Sequence, residues 1–375
     1  MTESVGFGGF RISFCRQGIA MHVGTLLVFQ NFEGQLADEE CYWNTLELAE
    51  QADTLGYDSV WCPEHHFDGD YSMCPDNLQV LAYLAGRTNR IQLATGAVIL
   101  PWNDPLRVVE KAALMDVLAR GRFLFGMGRG LSRMEYVGMR QDMNESRERF
   151  DEAAEMIMTA LESGVAEHSG KYYDQPRVEI HPRPLGTFAG RSYGVAMSPD
   201  SAETAARLKL RMMAFVQGDV GTVHKPMVEL YRDAYRRAHN EEPPPPVFVD
   251  FGYCHHDSAT AAETNGLYAA NYFRSVVTHY EFAGEHFSAT RGYESHGDNA
   301  KLIREAGLEA TCQGFVAAQI SGTPDEIVER ARERRDAVGD FDLLLAPYYG
   351  GMPIELARES LQLFGKEVIP ALKQL

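Results

Sequence analysis

The chain has 375 residues, 45% of them hydrophobic and 23% charged, which suits a globular protein able to bury a large core. Its 53 acidic and 35 basic residues leave a net charge of -18. Such a surface repels phosphate backbones and anionic lipid, so no nucleic-acid or membrane partner is expected. No apolar run approaches the ~18 residues of a spanning helix. Six cysteines stand far apart, at 15, 41, 62, 74, 254 and 312, with no CxxC pair. A reduced, cytoplasmic setting is therefore expected rather than a disulfide framework or zinc ribbon. Residues 1–20 carry four glycines and no signal-like apolar stretch, and read as a loose arm before a functional start at Met21.

From Met21 onward, strand and helix patterns alternate. His22 to Phe29 reads as a strand, Asp38 to Leu55 as a helix, Asp58 to Cys62 as a strand and Pro75 to Arg87 as a helix. Strand Ile91 to Leu100, helix Pro105 to Arg120, strand Arg122 to Gly128 and helix Asn144 to Ser163 follow. The rhythm then breaks, because 164–191 holds a His-Pro-Arg-Pro run and reads as an insertion. It resumes with strand Tyr193 to Met197, helix Asp200 to Leu208, strand Leu210 to Val216 and helix Val223 to His239. Beyond the stiff run Pro243 to Pro246 come strand Val247 to Cys254 and helix Asp257 to Tyr280. Gly284 to Gly297 is polar and glycine-containing, as a mobile loop would be. Strand Phe341 to Ala346 and helix Pro353 to Leu372 end the pattern.

Eight strand–helix pairs with no change in composition predict an α/β fold, a single (β/α)8 TIM barrel over 21–375. A doubly wound sheet is the runner-up. Its dinucleotide fingerprint fails, because Gly126-Met127-Gly128-Arg129-Gly130 is followed by Leu131.

The stretch Ser59 to Phe67 organises the chain. An apolar strand stops at Pro63, and Glu64, His65 and His66 follow at the strand's C-terminal end, where barrels build active sites. Neighbours in extended chain point opposite ways, so only one imidazole is expected to face a ligand. The alternatives are a histidine that caps the strand end, or a zinc site whose third ligand has no recognisable spacing; no metal is expected.

Several motifs then occur in one order: Trp61 to Phe67, Thr95 to Pro101, Gly121 to Gly126 with Arg129-Gly130-Leu131, Gly138 to Arg147, Val195 to Ser198, and Thr290 to Tyr293. Together they resemble the bacterial luciferase-like flavin monooxygenases, most nearly the luciferase α subunit, from about Met21 to the C-terminus. The resemblance implies an enzyme that receives reduced FMN from a separate NAD(P)H:flavin reductase, reacts it with O2 to a flavin hydroperoxide and oxygenates a small organic substrate. It implies a dimer through the early helices, homodimeric for this chain. His65 matches the family's catalytic imidazole, and Glu64, taken with it as catalytic, matches a residue beside the flavin. Arg129 matches the phosphate-holding arginine, with Leu131 close by. Ser198 and Ser201 match hydroxyl contacts to that phosphate, and Met197 stands where luciferase has glutamate. Gly96-Ala97 matches a cis peptide under the ring system. Gly128 replaces a reactive cysteine and Ser132 a tyrosine, which tells against aldehyde oxidation with light emission.

The residue chemistry is compatible with these assignments. Imidazole titrates in the range that proton transfer in a water-poor pocket requires. Arg129 offers a bidentate grip on phosphate, although a surface ion pair would use the same residue. Ser198-Pro199-Asp200-Ser201 opens a helix whose free N–H groups favour phosphate, although ordinary capping uses the same letters. Two other readings stay open: a deazaflavin-dependent oxidoreductase on the same barrel, and a non-catalytic flavin-binding subunit.

Overall fold

The computed structural model describes residues 20–375, so the arm read over 1–20 lies, but for its last residue, outside the described residues. Four apolar runs form the first half of the sheet: β1 (Val23–Leu26), β2 (Ser59–Cys62), β3 (Gln92–Thr95) with its short continuation β4 (Val98–Ile99), and β5 (Phe123–Gly128). They are almost entirely buried, as strands covered on both faces must be. Between them run α1 (Asp38–Thr54), α2 (Asn77–Arg87) and α3 (Pro105–Leu118), the last two capped by Asp76 and Asp104 side chains. After β5 come a short α4 (Arg133–Gly138) and the long α5 (Ser146–Ser163).

The insertion expected after the fourth long helix is an antiparallel hairpin, β6 (Val165–Ser169) and β7 (Asp174–Glu179), which forms its own two-stranded sheet. The barrel continues with β8 (Ser192–Val195), α6 (Pro199–Arg207), β9 (Arg211–Phe215), α7 (Lys225–His239) and β10 (Val247–Phe251). Later come α8 (Ser258–His279), α9 (His286–Ala289), α10 (Glu294–Ala306), α11 (Leu308–Ala318) and α12 (Pro324–Val338). Strand β11 (Asp342–Ala346), α13 (Ile354–Leu363) and α14 (Ile369–Leu372) end the chain.

All barrel pairings are parallel, and β11 pairs with β1 at Val23 and Leu343, closing the ring. That pairing excludes the open doubly wound sheet and gives the expected eight-stranded barrel, with β3 and β4 counted as one strand broken at the cis peptide Gly96–Ala97. No helix among the described residues is long and apolar enough to cross a membrane.

The mobile loop expected over Gly284 to Gly297 is partly helical, holding α9 and the start of α10. Its composition is polar, but Phe287 and Tyr293 are fully buried and anchor the segment to the barrel mouth. A few apolar anchors outweigh many polar neighbours when each anchor is wholly removed from water.

Candidate active site

The C-terminal ends of six barrel strands open onto one cavity. β2 delivers Glu64 and His65; β3 and β4 deliver Gly96, Ala97 and Ile99; β5 delivers Gly128, Arg129, Gly130 and Leu131. From β8 to β10 come Val195, Met197, Ser201, Phe215, Gln217 and Phe251. Thus the cavity wall unites His65, Glu64, Gly96, Ala97, Arg129, Leu131, Met197 and Ser201. Ser198 is buried behind Ser201, their hydroxyl oxygens 2.9 Å apart.

His65 lines the wall, and its Nδ1 lies 3.1 Å from Glu135 Oε1. Glu135 comes from the first turn of α4, where Ser132 caps the helix, and its side chain is 1% exposed. Burial opposes its ionisation. The charge and hydrogen bond of His65, the charge of His279 and the backbone N–H of His66 outweigh that, and the carboxyl sits below its ordinary range. An ionised Glu135 can only accept, so Nδ1 of His65 carries the hydrogen, and no hydrogen bond to Nε2 is found among the described residues. His66 is buried; its N–H donates to Glu135 and its ring lies 3.3 Å from Glu64. As expected of adjacent residues, only His65 of the two lines the cavity.

Glu64, expected beside the flavin, is held by three donors of the protein. Its Oε2 accepts from the N–H of Ile99 at 3.0 Å, and its Oε1 from Trp102 Nε1 at 2.7 Å and Asn103 Nδ2 at 2.9 Å. The carboxylate therefore ties the chain after β4 to the end of β2. A buried acceptor already supplied with donors has little capacity left for a reacting group.

Arg129 is nearly buried. Its Nη1 donates to the carbonyl of Gly292 at 2.6 Å, and its guanidinium lies 3.7 Å from the Tyr293 ring centroid. Arg147, from α5, reaches Ser201 Oγ at 3.3 Å, and burial together with the Arg129 charge pushes its guanidinium down from the ordinary value. Among the described residues neither arginine forms a salt bridge, although the chain has an excess of carboxylates. His296 stands against them, held down to about 4 by burial and then by both arginines. Asp151 and Asp200 act on Arg147 through charge alone, without a salt bridge, so the buried Arg129 and half-buried Arg147 keep hydrogen-bonding capacity that an anion could fill. The N-terminus of α6, capped by Ser198, faces the same point.

The rest of the wall is aromatic and apolar: Phe251, Tyr272, Phe273, Val276 and Phe315, with Tyr71 and Tyr280 nearer His65. His65, Glu135 and His279 offer ring and carboxylate atoms within 4.8 Å of one another, so the third group that no spacing in the sequence supplied is present in space. Sequence reading missed Glu135, Arg147, His279 and His296. Only Arg147 left a trace there, as the last residue of the motif Gly138 to Arg147.

A family model described as luciferase-like monooxygenase matches residues 21–340. The chain belongs to that family. It is 26% identical over 345 residues to the alkanal monooxygenase alpha chain of Photorhabdus luminescens, covering 91% of this chain and 94% of that one. The oxygenase component of the flavin-dependent trigonelline monooxygenase of Acinetobacter baylyi is 24% identical, covering 94% and 96%. Among solved structures, monooxygenase RslO1 from Streptomyces bottropensis superposes with a TM-score of 0.79 at 26% identity, covering 93% and 99%. The oxygenating constituent of 3,6-diketocamphane monooxygenase from Pseudomonas putida, in complex with FMN, gives 0.69 at 19% identity, covering 94% and 99%. An F420-dependent secondary alcohol dehydrogenase gives 0.68 at 16%, also covering 94% and 99%. This luciferase-like monooxygenase thus shares its barrel with both FMN and F420 enzymes.

Proposed function

We propose that the protein is the oxygenase of a two-component system that takes reduced FMN from a separate NAD(P)H:flavin reductase and uses O2 to oxygenate a neutral organic substrate. The observation that carries this reading is the pair Arg129 and Arg147, neither in a salt bridge among the described residues, converging near Ser201 beside the cavity that holds His65. Such a socket fits a dianionic phosphate, and the apolar wall beside Gly96 and Ala97 fits a flat ring system. When bound, the reduced flavin supplies the two electrons that activate oxygen.

The chain's own residues do the rest. Arg129, Arg147, Ser201 and the α6 N-terminus hold the phosphate, with Ser198 orienting Ser201. Gly96, Ala97, Leu131 and Met197 pack the ring system. Glu64 fixes the chain between them, and His65 holds or takes a proton at Nε2. The aromatic wall excludes water, which favours a neutral aldehyde, ketone or hydrocarbon-like substrate over a charged one. Exposed Trp43, Tyr83, Leu114 and Leu118 on α1, α2 and α3 support a homodimer through the early helices. The unpaired state of the five described cysteines accords with a cytoplasmic setting.

A deazaflavin enzyme is the second reading, motivated by the likeness to F420-dependent folds. Anaerobic titration with reduced FMN and with reduced deazaflavin separates the two. The FMN reading expects saturable binding of reduced FMN, followed by transfer of one atom of labelled O2 into product. Binding of the deazaflavin alone, with no need for oxygen, contradicts it.

A further inference from the structure

The polar contacts that begin at His65 do not end at Glu135. His279, the last residue of α8, is fully buried and stacks on Tyr71 with centroids 4.2 Å apart and planes 19° apart. Its Nδ1 lies 2.9 Å from Asp68 Oδ2. Its Nε2 lies 3.7 Å from Glu135 Oε1 and has no hydrogen-bond partner among the described residues. Asp68 is partly exposed. Four groups therefore run from the cavity wall to the surface: His65, Glu135, His279 and Asp68, at successive separations of 3.1, 3.7 and 2.9 Å.

A buried ring nitrogen without a partner is uncommon and asks for a cause. Asp68 accepts from Nδ1, so in the neutral ring Nε2 presents a lone pair. Glu135 Oε1 already receives His65 and the His66 N–H and has no hydrogen to give. While the ring is neutral, two acceptors face each other across a gap, and a proton on Nε2, the charged form that favours an ionised Glu135, closes it into a short charge-assisted bond. The other titratable groups near His279 are Tyr71 and Tyr280 at its ring, then Glu281, which is paired with Arg133. Burial drives both phenols well above their ordinary range, so they remain neutral.

We propose that Glu135, His279 and Asp68 are positioning residues that fix the His65 tautomer and exchange its proton with solvent, so that the cavity can stay dry. This rests on the reading of His65 as the working imidazole. When Nε2 of His65 takes a proton from a reacting group, the Nδ1 proton passes to Glu135 and across the gap to His279 Nε2. The His279 Nδ1 proton then passes to Asp68 and water. One proton enters at the cavity and one leaves at the surface, no electron moves, and the reverse sequence restores the start.

Ring nitrogen-15 NMR on the cofactor-free protein reads the tautomers directly. The relay expects His65 protonated at Nδ1 and bare at Nε2, with that preference lost in Glu135→Gln. In His279→Gln, turnover should fall by about tenfold or more with a larger solvent isotope effect, while reduced-FMN affinity stays within about twofold. If that variant does not fold, Asp68→Asn at the exposed end carries the same expectation. Wild-type turnover and isotope effect in the folded variant, or a His65 proton on Nε2, overturn the relay. Stoichiometric cobalt uptake that His279→Gln abolishes overturns it too, because the trio would then be a metal centre. Unchanged turnover in His65→Ala would instead remove the reading beneath it.

Discussion

Arg147 donates to Ser201 at 3.3 Å while the Arg129 charge beside it helps push its guanidinium down, so the two cations repel each other across a socket in which, among the described residues, neither forms a salt bridge. Phosphate binding relieves that repulsion, and its affinity should depend on both residues. Arg129→Ala and Arg147→Ala should each weaken reduced-FMN binding by about 10- to 100-fold. Riboflavin, which lacks the phosphate, should bind wild type and variants alike. Equal losses for riboflavin would place the effect on folding or on the ring site instead.

Glu64 is expected to hold structure rather than move protons. In Glu64→Gln, an amide donor must face Trp102, Asn103 or the N–H of Ile99. A loss of about 1–3 kcal/mol in unfolding free energy follows, read by denaturant titration. The pH dependence of turnover should keep its wild-type shape. A displaced profile in a variant of normal stability would return Glu64 to proton transfer.

Stability should also depend on pH through two buried imidazoles. Burial pushes His224 down from 6.5 to about 4, and burial with Arg129 and Arg147 does the same to His296. Their folded values lie below the unfolded one, so the unfolded chain takes up protons first. Their contribution is complete above about pH 6.5 and is lost as pH falls toward 4, on the order of 2–3 kcal/mol per residue at the lower end. Denaturation midpoints at pH 7 and pH 5 should differ less in His224→Gln than in wild type. Bound phosphate should favour protonation of His296, so binding should be accompanied by proton uptake near its titration range.

Gly126 sits where β5 crosses Thr95. Its carbonyl accepts from the Thr95 hydroxyl and its N–H donates back to it, both at 2.8 Å. A Cβ there would lie 2.0 Å from the Thr95 carbonyl oxygen, so Gly126→Ala must displace the strand that leads to Gly96 and Ala97. We expect about 1–3 kcal/mol of lost stability with a weaker cofactor site, read by thermal unfolding and flavin titration. An unchanged melting temperature would show that the strand yields without cost.

The eight strands were legible because each is a short buried apolar run between turn residues, and the barrel follows from their alternation with helices. The region after α8 was not, since Phe287 and Tyr293 are isolated anchors in polar surroundings and no window average detects them. His65 and Arg129 could be read because each follows a strand end. Glu135 and His279 could not, because they meet His65 through packing across the barrel mouth, Glu135 from 70 residues away. Arg147 entered only as the end of the motif Gly138 to Arg147, because nothing in a local pattern shows that it sits half-buried beside Ser201.

The central claim is that His65 works on a reduced flavin held by the arginine pair. Paired measurements on His65→Ala test it most directly: anaerobic affinity for reduced FMN, and incorporation of labelled O2 into product. Affinity should stay near wild type while product formation falls by about 100- to 10,000-fold. Full product formation by this variant, with reduced FMN bound normally, would contradict the account.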